Sequence, residues 1–404
     1  MSSPRILIIG GGVGGLALAQ GLRRRNIDFA VFERDPLLDS RLQGYRLKVF
    51  GEFQAKLKDL LTDEAWLEFE AGLAETNLGE TTINAPNAQI IASRAGRLPP
   101  GAPLPYTIDR GMMRQAMAKG IESSIHFGKK FVRYELNDEG VTVFFADGSS
   151  EQGTLLVGAD GARSAVRKQL LPDIKPLDTE GCCIYGKSHL TPELLERLPP
   201  KHRRWMTVVV DQTPLLQTII SGEAPITLVA EAVRFKNQGS KSDLPEDYVH
   251  WGILFHRNTS GLKGEVLDKA LGHGAMEMSL QLTSEWDPSI RCLIELQDPS
   301  LSLGMNVYSA SPDIPAWKPS GSVTVLGDAI HVMSPSGGVG AVATLNDVFE
   351  LTRIIESEGV SEASIGKFEG AMRGFAKVCI GRSFLAGEKM LSMPSAAECK
   401  EVDW

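Results

Sequence analysis

The stretch Arg5–Gly15, which reads RILIIGGGVGG, decides the fold of the amino-terminal region. Residues 5–9 form a short apolar run, and glycines then fill a G-x-G-x-x-G pattern at Gly10, Gly12 and Gly15. Apolar residues recur at helical spacing over 16–22, and a second apolar run follows at 30–33. This order predicts strand, tight turn, helix and strand, which together form a βαβ unit of about 30 residues.

The glycine pattern and the acid that follows it predict a dinucleotide site. The first glycine permits the tight turn, the second lets the backbone approach a pyrophosphate, and the third allows close helix–strand packing. Glu33 ends the second strand, 21 residues after Gly12. A carboxylate there accepts hydrogen bonds from a ribose diol and repels a 2′-phosphate. The pattern therefore favours NAD or FAD over a plain turn.

Composition excludes several classes of function. The chain has 404 residues, enough for two or three domains of about 150 residues each. Its formal charge of −8 argues against general nucleic-acid binding and against docking on anionic membranes. Five scattered cysteines predict neither a zinc site nor a disulfide framework, and they fit a reducing compartment. No apolar run is long enough for a membrane span, so we expect a soluble, cytoplasmic protein.

The patterns downstream predict a second, strand-rich region and a helical tail. Residues 53–72 have the apolar spacing of one helix, and 126–148 alternate like a β-hairpin. The strand patterns that suggest a mostly antiparallel second domain include Met206–Val210, Leu216–Ser221, Trp251–His256 and Ile290–Leu296. Residues 361–390 carry the spacing of an amphipathic helix.

Two further segments place an aspartate after a short buried strand. The sequence GADGARS at 158–164 follows the strand predicted at 154–157. The sequence GDAIH at 327–331 follows the strand predicted at 322–326 and leads into a glycine-rich turn at 335–340. An aspartate at a strand end can accept hydrogen bonds from sugar hydroxyls, and a glycine-rich turn into a helix can cradle an anion.

In this order, the three segments resemble the FAD-dependent monooxygenases of the para-hydroxybenzoate hydroxylase fold, the group A flavoprotein monooxygenases, including fungal salicylate hydroxylase-like members. The resemblance spans about residues 4–360. It implies an α/β fold in which a Rossmann-like FAD-binding domain carries an inserted, mostly antiparallel β-sheet substrate domain and a C-terminal helix. The implied ranges are 1–175 and 300–360 for the FAD-binding domain, 176–299 for the substrate domain and 361–404 for the tail.

Carried over residue by residue, the resemblance implies a set of cofactor-binding positions. They are Gly10, Gly12, Gly15, Glu33, Arg34, Gly44, Arg110, Asp160, Asp328, Gly338, Gly340, Ala341 and Val342. The glycine pattern and Glu33 would hold the ADP half of FAD, and Arg110 would contact the flavin side. Asp160 belongs to a motif associated with both FAD and the nicotinamide cofactor, and Asp328 matches an aspartate of the ribityl or pyrophosphate region.

The segment 338–342 contains a departure from the family pattern. Residues 338–341 would lie at a helix N-terminus beside the flavin ring, where the helix dipole stabilises anionic reduced flavin. Val342 stands where the family often has asparagine, so one polar contact near the ring would be lost. FAD binding is expected to survive on backbone and phosphate contacts.

Few residues outside the cofactor motifs suggest chemistry. Tyr185 and Lys187 open the implied substrate domain and are candidate catalytic residues, although a strand residue and a solvated lysine explain the pattern equally well. His331 is interpreted as a hydrogen-bonded structural histidine. No metal site is predicted, because no histidine is spaced with cysteine or acid as metal ligands are.

The resemblance implies monooxygenation driven by NAD(P)H. A transient NAD(P)H would reduce non-covalent FAD, and O2 would then form a C4a-hydroperoxyflavin. This species would hydroxylate or epoxidise an electron-rich small molecule, such as an aromatic or indole-type secondary metabolite. Two alternatives stay open: a non-redox cyclisation or rearrangement with mainly structural FAD, suggested by Val342, and an FAD-linked dehydrogenase or oxidase.

Overall fold

The computed structural model describes residues 4–40, 45–211, 226–237, 244–259, 267 and 270–404. In chain order the strands are β1 (Arg5–Ile9), β2 (Asp28–Phe32), β3 (Arg46–Val49), β4 (Leu73–Ala74), β5 (Gly79–Asn84), β6 (Ile90–Ala95), β7 (Tyr106–Asp109), β8 (Ile125–His126), β9 (Phe131–Asn137), β10 (Gly140–Phe145), β11 (Ser150–Gly153), β12 (Leu155–Gly158), β13 (Leu177–His189), β14 (Met206–Asp211), β15 (Ile226–Val233), β16 (Tyr248–His256), β17 (Leu303–Ser309), β18 (Val323–Val325) and β19 (Lys400–Glu401). The α-helices are α1 (Val13–Arg24), α2 (Glu52–Leu60), α3 (Asp63–Ala71), α4 (Arg110–Ala118), α5 (Ala165–Leu170), α6 (Pro192–Arg197), α7 (His273–Leu282), α8 (Pro288–Glu295), α9 (Asp328–His331), α10 (Gly340–Glu358) and α11 (Glu362–Leu391).

A parallel sheet of five strands combines four strands from the first 160 residues with β18 from residues 323–325. Its order is β18–β12–β1–β2–β8, and every neighbouring pair is parallel. β1 and β12 are almost completely buried, as their continuous apolar sequences require in a sheet covered on both faces. The carboxyl ends of β1, β2, β12 and β18 therefore share one edge, and the three predicted motifs follow them there.

A larger sheet forms the second layer of the molecule. Its path is β17–β13–β16–β15–β14–β5–β6, and β19 also pairs with β13. All of these pairs are antiparallel except β14 with β5. A nine-pair register joins β13 to β16, from Gly181 opposite His256 to His189 opposite Tyr248. The predicted fold class, a Rossmann-like domain with a mostly antiparallel sheet, is confirmed.

The large sheet draws strands from more of the chain than the range 176–299. β5 and β6 come from within 1–175, and β17 comes from within 300–360. The domain ranges given above stay predictions.

Two smaller antiparallel sheets complete the strand content of the described residues. β9–β10–β11 is the predicted hairpin extended by one strand, and β3–β7–β4 is a separate three-stranded sheet. The latter places Arg46 and Asp109 opposite each other, in reach of the large sheet.

Several local predictions need correction. Residues 53–72 form two helices, because the hydroxyl of Thr62 accepts from the Ala65 N–H and starts a new helix. Ile290–Leu296 belongs to helix α8 and its end, not to a strand. The strand predicted at Leu216–Ser221 lies outside the described residues.

The predicted tail helix is confirmed as α11, a helix of 30 residues that packs along α10. Ser361 and Ser364 form a capping box at its start. Among the described residues, no helix combines the length and apolarity needed to cross a membrane.

Candidate active site

The glycine loop after β1 packs tightly on one side and is open on the other. Gly10 has φ of +109°, and a Cβ there would lie 2.4 Å from the Ala159 carbonyl oxygen. A Cβ on Gly15 would lie 1.9 Å from the Gly10 carbonyl oxygen, so both positions require glycine. A Cβ on Gly12 would meet no atom within 4 Å. The loop thus leaves open space at the glycine predicted to approach a ligand.

Glu33 fixes this loop from the end of β2. Its side chain is 8% exposed, and Oε2 accepts a hydrogen bond from the Gly11 N–H at 2.7 Å. Oε1 accepts from the Asp35 N–H at 2.9 Å. Arg34, the next residue, is exposed at the surface, and the predicted Gly44 lies outside the described residues. The carboxylate stands beside the glycine loop, as the sequence spacing predicts.

Arg114 supports the loop from helix α4, and the sequence analysis missed it. Its Nε and Nη2 donate to the Gly11 carbonyl at 3.1 and 2.9 Å, and Nη1 donates to the Leu38 carbonyl at 2.7 Å. Arg114 is 5% exposed. Its place one helical turn after Arg110 was the available signal, because residues four apart share a helix face.

Two helices begin at this edge without a side-chain cap. Their N-cap residues, Gly12 for α1 and Val339 for α10, have no polar side chain. The two starts are close together, since a Cβ on Gly14 would lie 2.7 Å from Cγ2 of Thr344. Uncapped N–H groups at adjacent helix N-termini attract anions such as a pyrophosphate.

The residues around the start of α10 differ in exposure. Gly338 is exposed, and its backbone has the left-handed conformation with φ of +62°. Gly340 and Ala341 are half-buried. Val342 is 1% exposed and belongs to the hydrophobic core. The predicted contact of Val342 with a flavin ring stays a prediction, and its packing is that of a core residue.

Asp160 supports the start of helix α5, whose N-cap residue is Ser164. Its Oδ1 accepts from the Ser164 hydroxyl at 2.5 Å, and Oδ2 accepts from the Ala165 N–H at 2.7 Å at the start of α5. Burial raises the pKa of its carboxyl, against the effect of these hydrogen bonds. The Nη1 atom of Arg167 donates to the Ala162 and Ala329 carbonyls. Arg167 thereby links the segment 158–164 to the segment 327–331.

Arg110, Tyr45 and Asp328 meet in one cleft. The Arg110 N–H donates to the Tyr45 carbonyl at 3.0 Å, and its guanidinium lies 5.8 Å from the Tyr45 ring centre. Asp328 is exposed in this cleft, yet desolvation by the surrounding protein raises the pKa of its carboxyl, while Arg110 opposes the rise. Desolvation likewise raises the pKa of Tyr45, which is 37% exposed. These three side chains thus lie close enough to interact electrostatically, and Tyr45 and Asp328 remain open to solvent.

The buried pair of His331 and Asp347 holds the segment 327–331 in place. Nε2 of His331 lies 2.5 Å from Oδ2 of Asp347, and the same oxygen accepts from the Gly327 N–H at 3.0 Å. Burial lowers the pKa of His331, but Asp347 outweighs it and the net pKa is raised. The interpretation of His331 as a hydrogen-bonded structural histidine is confirmed.

A polar row on the large sheet faces the small sheet β3–β7–β4. Lys187, His250 and Glu231 are neighbours in register on β13, β16 and β15. Arg46 and Lys48 of β3 pair with Glu231 at 2.9 and 2.8 Å. The large sheet therefore carries buried charge where it faces β3, and the sequence analysis did not predict this.

Tyr185 lies in an aromatic stack that reaches the cleft. Its ring centre is 5.7 Å from that of Tyr45 and 5.8 Å from that of His250, with interplanar angles near 25°. Gly252 makes room for it, because a Cβ at that position would lie 3.1 Å from the Tyr185 ring. Burial raises the pKa of Tyr185 well above its ordinary value.

Lys187 is buried, so its interpretation as a solvated lysine is wrong. It is 6% exposed, and its Nζ donates to Oδ2 of Asp109 at 2.6 Å. The Tyr248 hydroxyl donates to the same oxygen at 2.6 Å. Desolvation pushes the pKa of Asp109 upward, but Lys187 and the donated hydrogen bonds outweigh it and hold the pKa below its ordinary value.

The donor set fits a dinucleotide cofactor. There is open space at Gly12, and the two adjacent uncapped helix N-termini offer backbone N–H groups. The cleft adds a cation, Arg110, and an acid, Asp328. Among the described residues, no group of three or more His, Cys, Asp or Glu side chains is placed to hold a metal ion.

Comparison with known proteins agrees with this geometry. The profile of the NAD(P)-binding Rossmann-like domain family matches residues 8–49. The chain is 41% identical, over 97% of its length, to a dual O-methyltransferase/FAD-dependent monooxygenase of Phaeosphaeria nodorum, of which it covers 46%. It is 27% identical to an FAD-dependent monooxygenase of Trichoderma harzianum, over 96% of this chain and 94% of that protein.

A solved structure extends the similarity to three dimensions. A protein from Photorhabdus luminescens assigned as an FAD-containing monooxygenase superposes with a TM-score of 0.79 at 29% identity, over 96% of this chain and 99% of that one. The chain spans about half the length of the Phaeosphaeria nodorum relative. The fold, the glycine loop and the sequence of this chain are therefore similar to those of FAD-dependent monooxygenases along nearly all of its length.

Proposed function

We propose that the chain binds FAD non-covalently and acts as a monooxygenase that uses NAD(P)H and O2. Its substrate is an electron-rich aromatic or indole-type small molecule, which it hydroxylates or epoxidises. The observation that carries the proposal is the cleft in which Arg110, Tyr45 and Asp328, from three separate segments, meet beside the uncapped starts of α1 and α10.

In this proposal the binding residues divide by position. Gly10–Gly12 and Glu33 hold the adenosine and pyrophosphate end, with Arg114 and Glu33 fixing the loop. Asp328 accepts from hydroxyl groups near the middle of the cofactor. The N-terminus of α10, at 338–341, stabilises negative charge on the ring, because its first N–H groups point outward from an uncapped helix.

Bound FAD supplies the electron transfer from NAD(P)H to O2 and the delivery of one oxygen atom, with the other leaving as water. The chain orients the reactants and excludes water from the cleft. Tyr45 and Tyr185 present stacked rings between the cofactor side and the large sheet, and a planar aromatic substrate packs well on such a surface. Tyr185 is thus proposed as a substrate-facing residue.

Lys187 has a different part in this scheme. Its ammonium is engaged by Asp109 and buried, so we propose that it acts on the site through Asp109 rather than by touching substrate. A secondary-metabolic role follows from the proposed substrate class. We propose a reducing, cytoplasmic compartment because all five cysteines are free thiols and four of them are buried.

The non-redox alternative gains no support from Val342, the residue that suggested it. The side chain is packed in the core at 1% exposure, so its difference from asparagine does not reshape the open cleft. The alternative is retained as an outcome of the experiment below.

The test combines flavin binding with isotope labelling. Protein incubated with excess FAD and gel-filtered should keep a flavin absorbance band, and mixing with NADH or NADPH without O2 should bleach it. Turnover of a panel of phenols and indoles under 18O2 should yield products with one heavy oxygen atom. Bound flavin that is never bleached, with isomerised product, would support the rearrangement. A protein that takes up no flavin would refute the proposal.

A further inference from the structure

Asp109 lies at the junction between the two layers of the molecule. It is the last residue of β7 and the N-cap of α4, and Oδ1 accepts from the Gly111 N–H at 2.6 Å. The next residue is Arg110, whose guanidinium enters the cofactor cleft beside Tyr45. The position of Asp109 therefore determines where helix α4 begins and where Arg110 is held.

The large sheet holds Asp109 from the opposite side. Oδ2 accepts from Lys187 of β13 and from the hydroxyl of Tyr248 of β16, each at 2.6 Å. The Lys187 ammonium also lies 4.5 Å from the Tyr248 ring centre. All three side chains are nearly completely buried, so each fixes the others. We call Asp109, Lys187 and Tyr248 the Asp109 cluster.

Strand β13 makes a second contact with the surroundings of Arg110. Tyr185 lies two residues before Lys187, on the same face of the strand. Its ring stacks on Tyr45, whose carbonyl accepts from the Arg110 N–H. One strand of the large sheet thus contacts both residues that flank Arg110 in space.

We propose that the Asp109 cluster is a positioning element that ties the large sheet to Arg110 and so sets the affinity and environment of the bound cofactor. This inference rests on the proposed function, because it assumes that Arg110 faces FAD. Buried charges of this kind are often no more stabilising than apolar side chains of equal volume. Their value here is the fixed geometry that they give to the start of α4.

The experiment uses four variants of the full chain. Lys187→Met removes the cation, and Lys187→Arg keeps it. The double variant Lys187→Met with Asp109→Asn removes both charges but leaves an amide oxygen that accepts from Gly111. Arg257→Met is the matched control, since it breaks the Arg257–Asp178 ion pair at the opposite end of β13. The thermal midpoint, the dissociation constant for FAD and the visible circular dichroism of the bound flavin are measured for each.

A positioning role predicts a separation between stability and cofactor binding. The double variant should melt near the wild-type temperature, yet its FAD dissociation constant should rise about 3- to 30-fold, with a changed flavin dichroism. Lys187→Arg should restore both properties, and Arg257→Met should lower the midpoint without changing FAD affinity. Where Lys187→Met alone fails to fold, the double variant gives the same comparison.

Three results would overturn the inference. The first is a double variant that binds FAD as tightly as the wild type with the same dichroism. The second is an equal loss of affinity in Arg257→Met, which would reduce the effect to general weakening of the sheet. The third is a wild-type protein that binds no FAD, which would refute the proposed function as well.

Discussion

The side chains of His331 and Asp347 form a pair that is sealed from solvent, with Nε2 of the histidine 2.5 Å from Oδ2 of the aspartate. The same carboxylate oxygen accepts from the Gly327 N–H. Gly327 is left-handed at φ +60° and immediately precedes Asp328, which projects into the cleft. The pair therefore holds the turn that presents Asp328, although neither residue reaches the cleft itself.

Replacing Asp347 should destabilise the protein strongly. In Asp347→Asn, His331 loses the charge that balances it in an apolar setting, and breaking a buried pair from one side costs about 3–5 kcal/mol of unfolding free energy. Denaturant unfolding measures the loss. Asp313→Asn is the control, because its ion pair with Lys377 is exposed and worth at most about 1 kcal/mol. Equal losses in the two variants would contradict the role assigned to the pair.

The same pair has a defined pH dependence. The pKa of His331 is raised in the folded state, so its stabilising contribution is complete below the unfolded value of about 6.5. That contribution is lost as the pH rises through the folded pKa. The stability difference between wild type and Asp347→Asn should therefore shrink above neutral pH, and a difference that grows with pH would reverse the sign we assign.

Glu33→Ala should weaken FAD binding and loosen the glycine loop. The variant leaves the Gly11 N–H without its acceptor and removes a charge-assisted hydrogen bond to the ribose, worth roughly 1.5–3 kcal/mol or about 10- to 100-fold in affinity. Fluorescence titration with FAD measures the change. Asp28→Ala, at the exposed start of the same strand, is the control. An unchanged dissociation constant would remove Glu33 from the cofactor site.

The variant Asp328→Asn should lower the affinity for FAD without lowering the stability of the fold. The carboxyl is exposed in the cleft and its pKa is raised by desolvation, so the fold gains nothing from its charge. We expect the thermal midpoint to stay at or above the wild-type value while FAD affinity falls about 10- to 100-fold. Gel filtration with excess FAD, followed by an absorbance spectrum, gives the bound fraction. Wild-type flavin content would exclude Asp328 from binding.

The parts of the fold that local sequence controls were predictable. The βαβ unit and the position of Glu33 beside the glycine loop follow from spacing over about 30 residues, and the structure reproduces both. The strands before Asp160 and Asp328 were equally clear, because short apolar runs end in glycine there.

Helix and strand were confused where apolar residues cluster. Ile290–Leu296 looks like a buried strand, yet Asp287 accepts from the Ser289 N–H and Pro288 follows it, which starts helix α8. The Asp-Pro pair was the signal that the apolar run concealed. Thr62 is a similar case, since its capping hydroxyl divides one apparent helix into α2 and α3.

The buried ion pairs of the site could not be predicted from the local sequence. Lys187 and Asp109 are 78 residues apart in sequence, and only the β13–β16 register and the end of β7 bring them together. His331 and Asp347 meet across a turn in the same way. The flavin contact predicted for Val342 stays a prediction, and its burial in the hydrophobic core could not be read from the local sequence.

His250 should make the protein sensitive to acid. Its ring is 9% exposed between Lys187 and Glu231, and burial, together with the charges of Arg46 and Lys187, lowers its pKa to about 3 against the opposing effect of Asp109. The unfolded chain binds a proton below about pH 6.5, whereas the folded chain does not until far lower pH. Unfolding is therefore favoured increasingly as the pH falls through that window.

The variant His250→Gln stays uncharged at every pH and should lose this contribution. Between pH 6.5 and 4, the wild type should lose on the order of 2–3 kcal/mol more unfolding free energy than the variant does, because each unit of pH below the unfolded pKa adds about 1.4 kcal/mol. Urea unfolding at half-unit pH steps measures the difference, and nuclear magnetic resonance of the His250 ring follows its proton directly. Parallel stability curves for the two proteins, or a ring that titrates near pH 6.5, would show that His250 is hydrated, and that the polar row on the large sheet is open to water instead of sealed against β3 and β7.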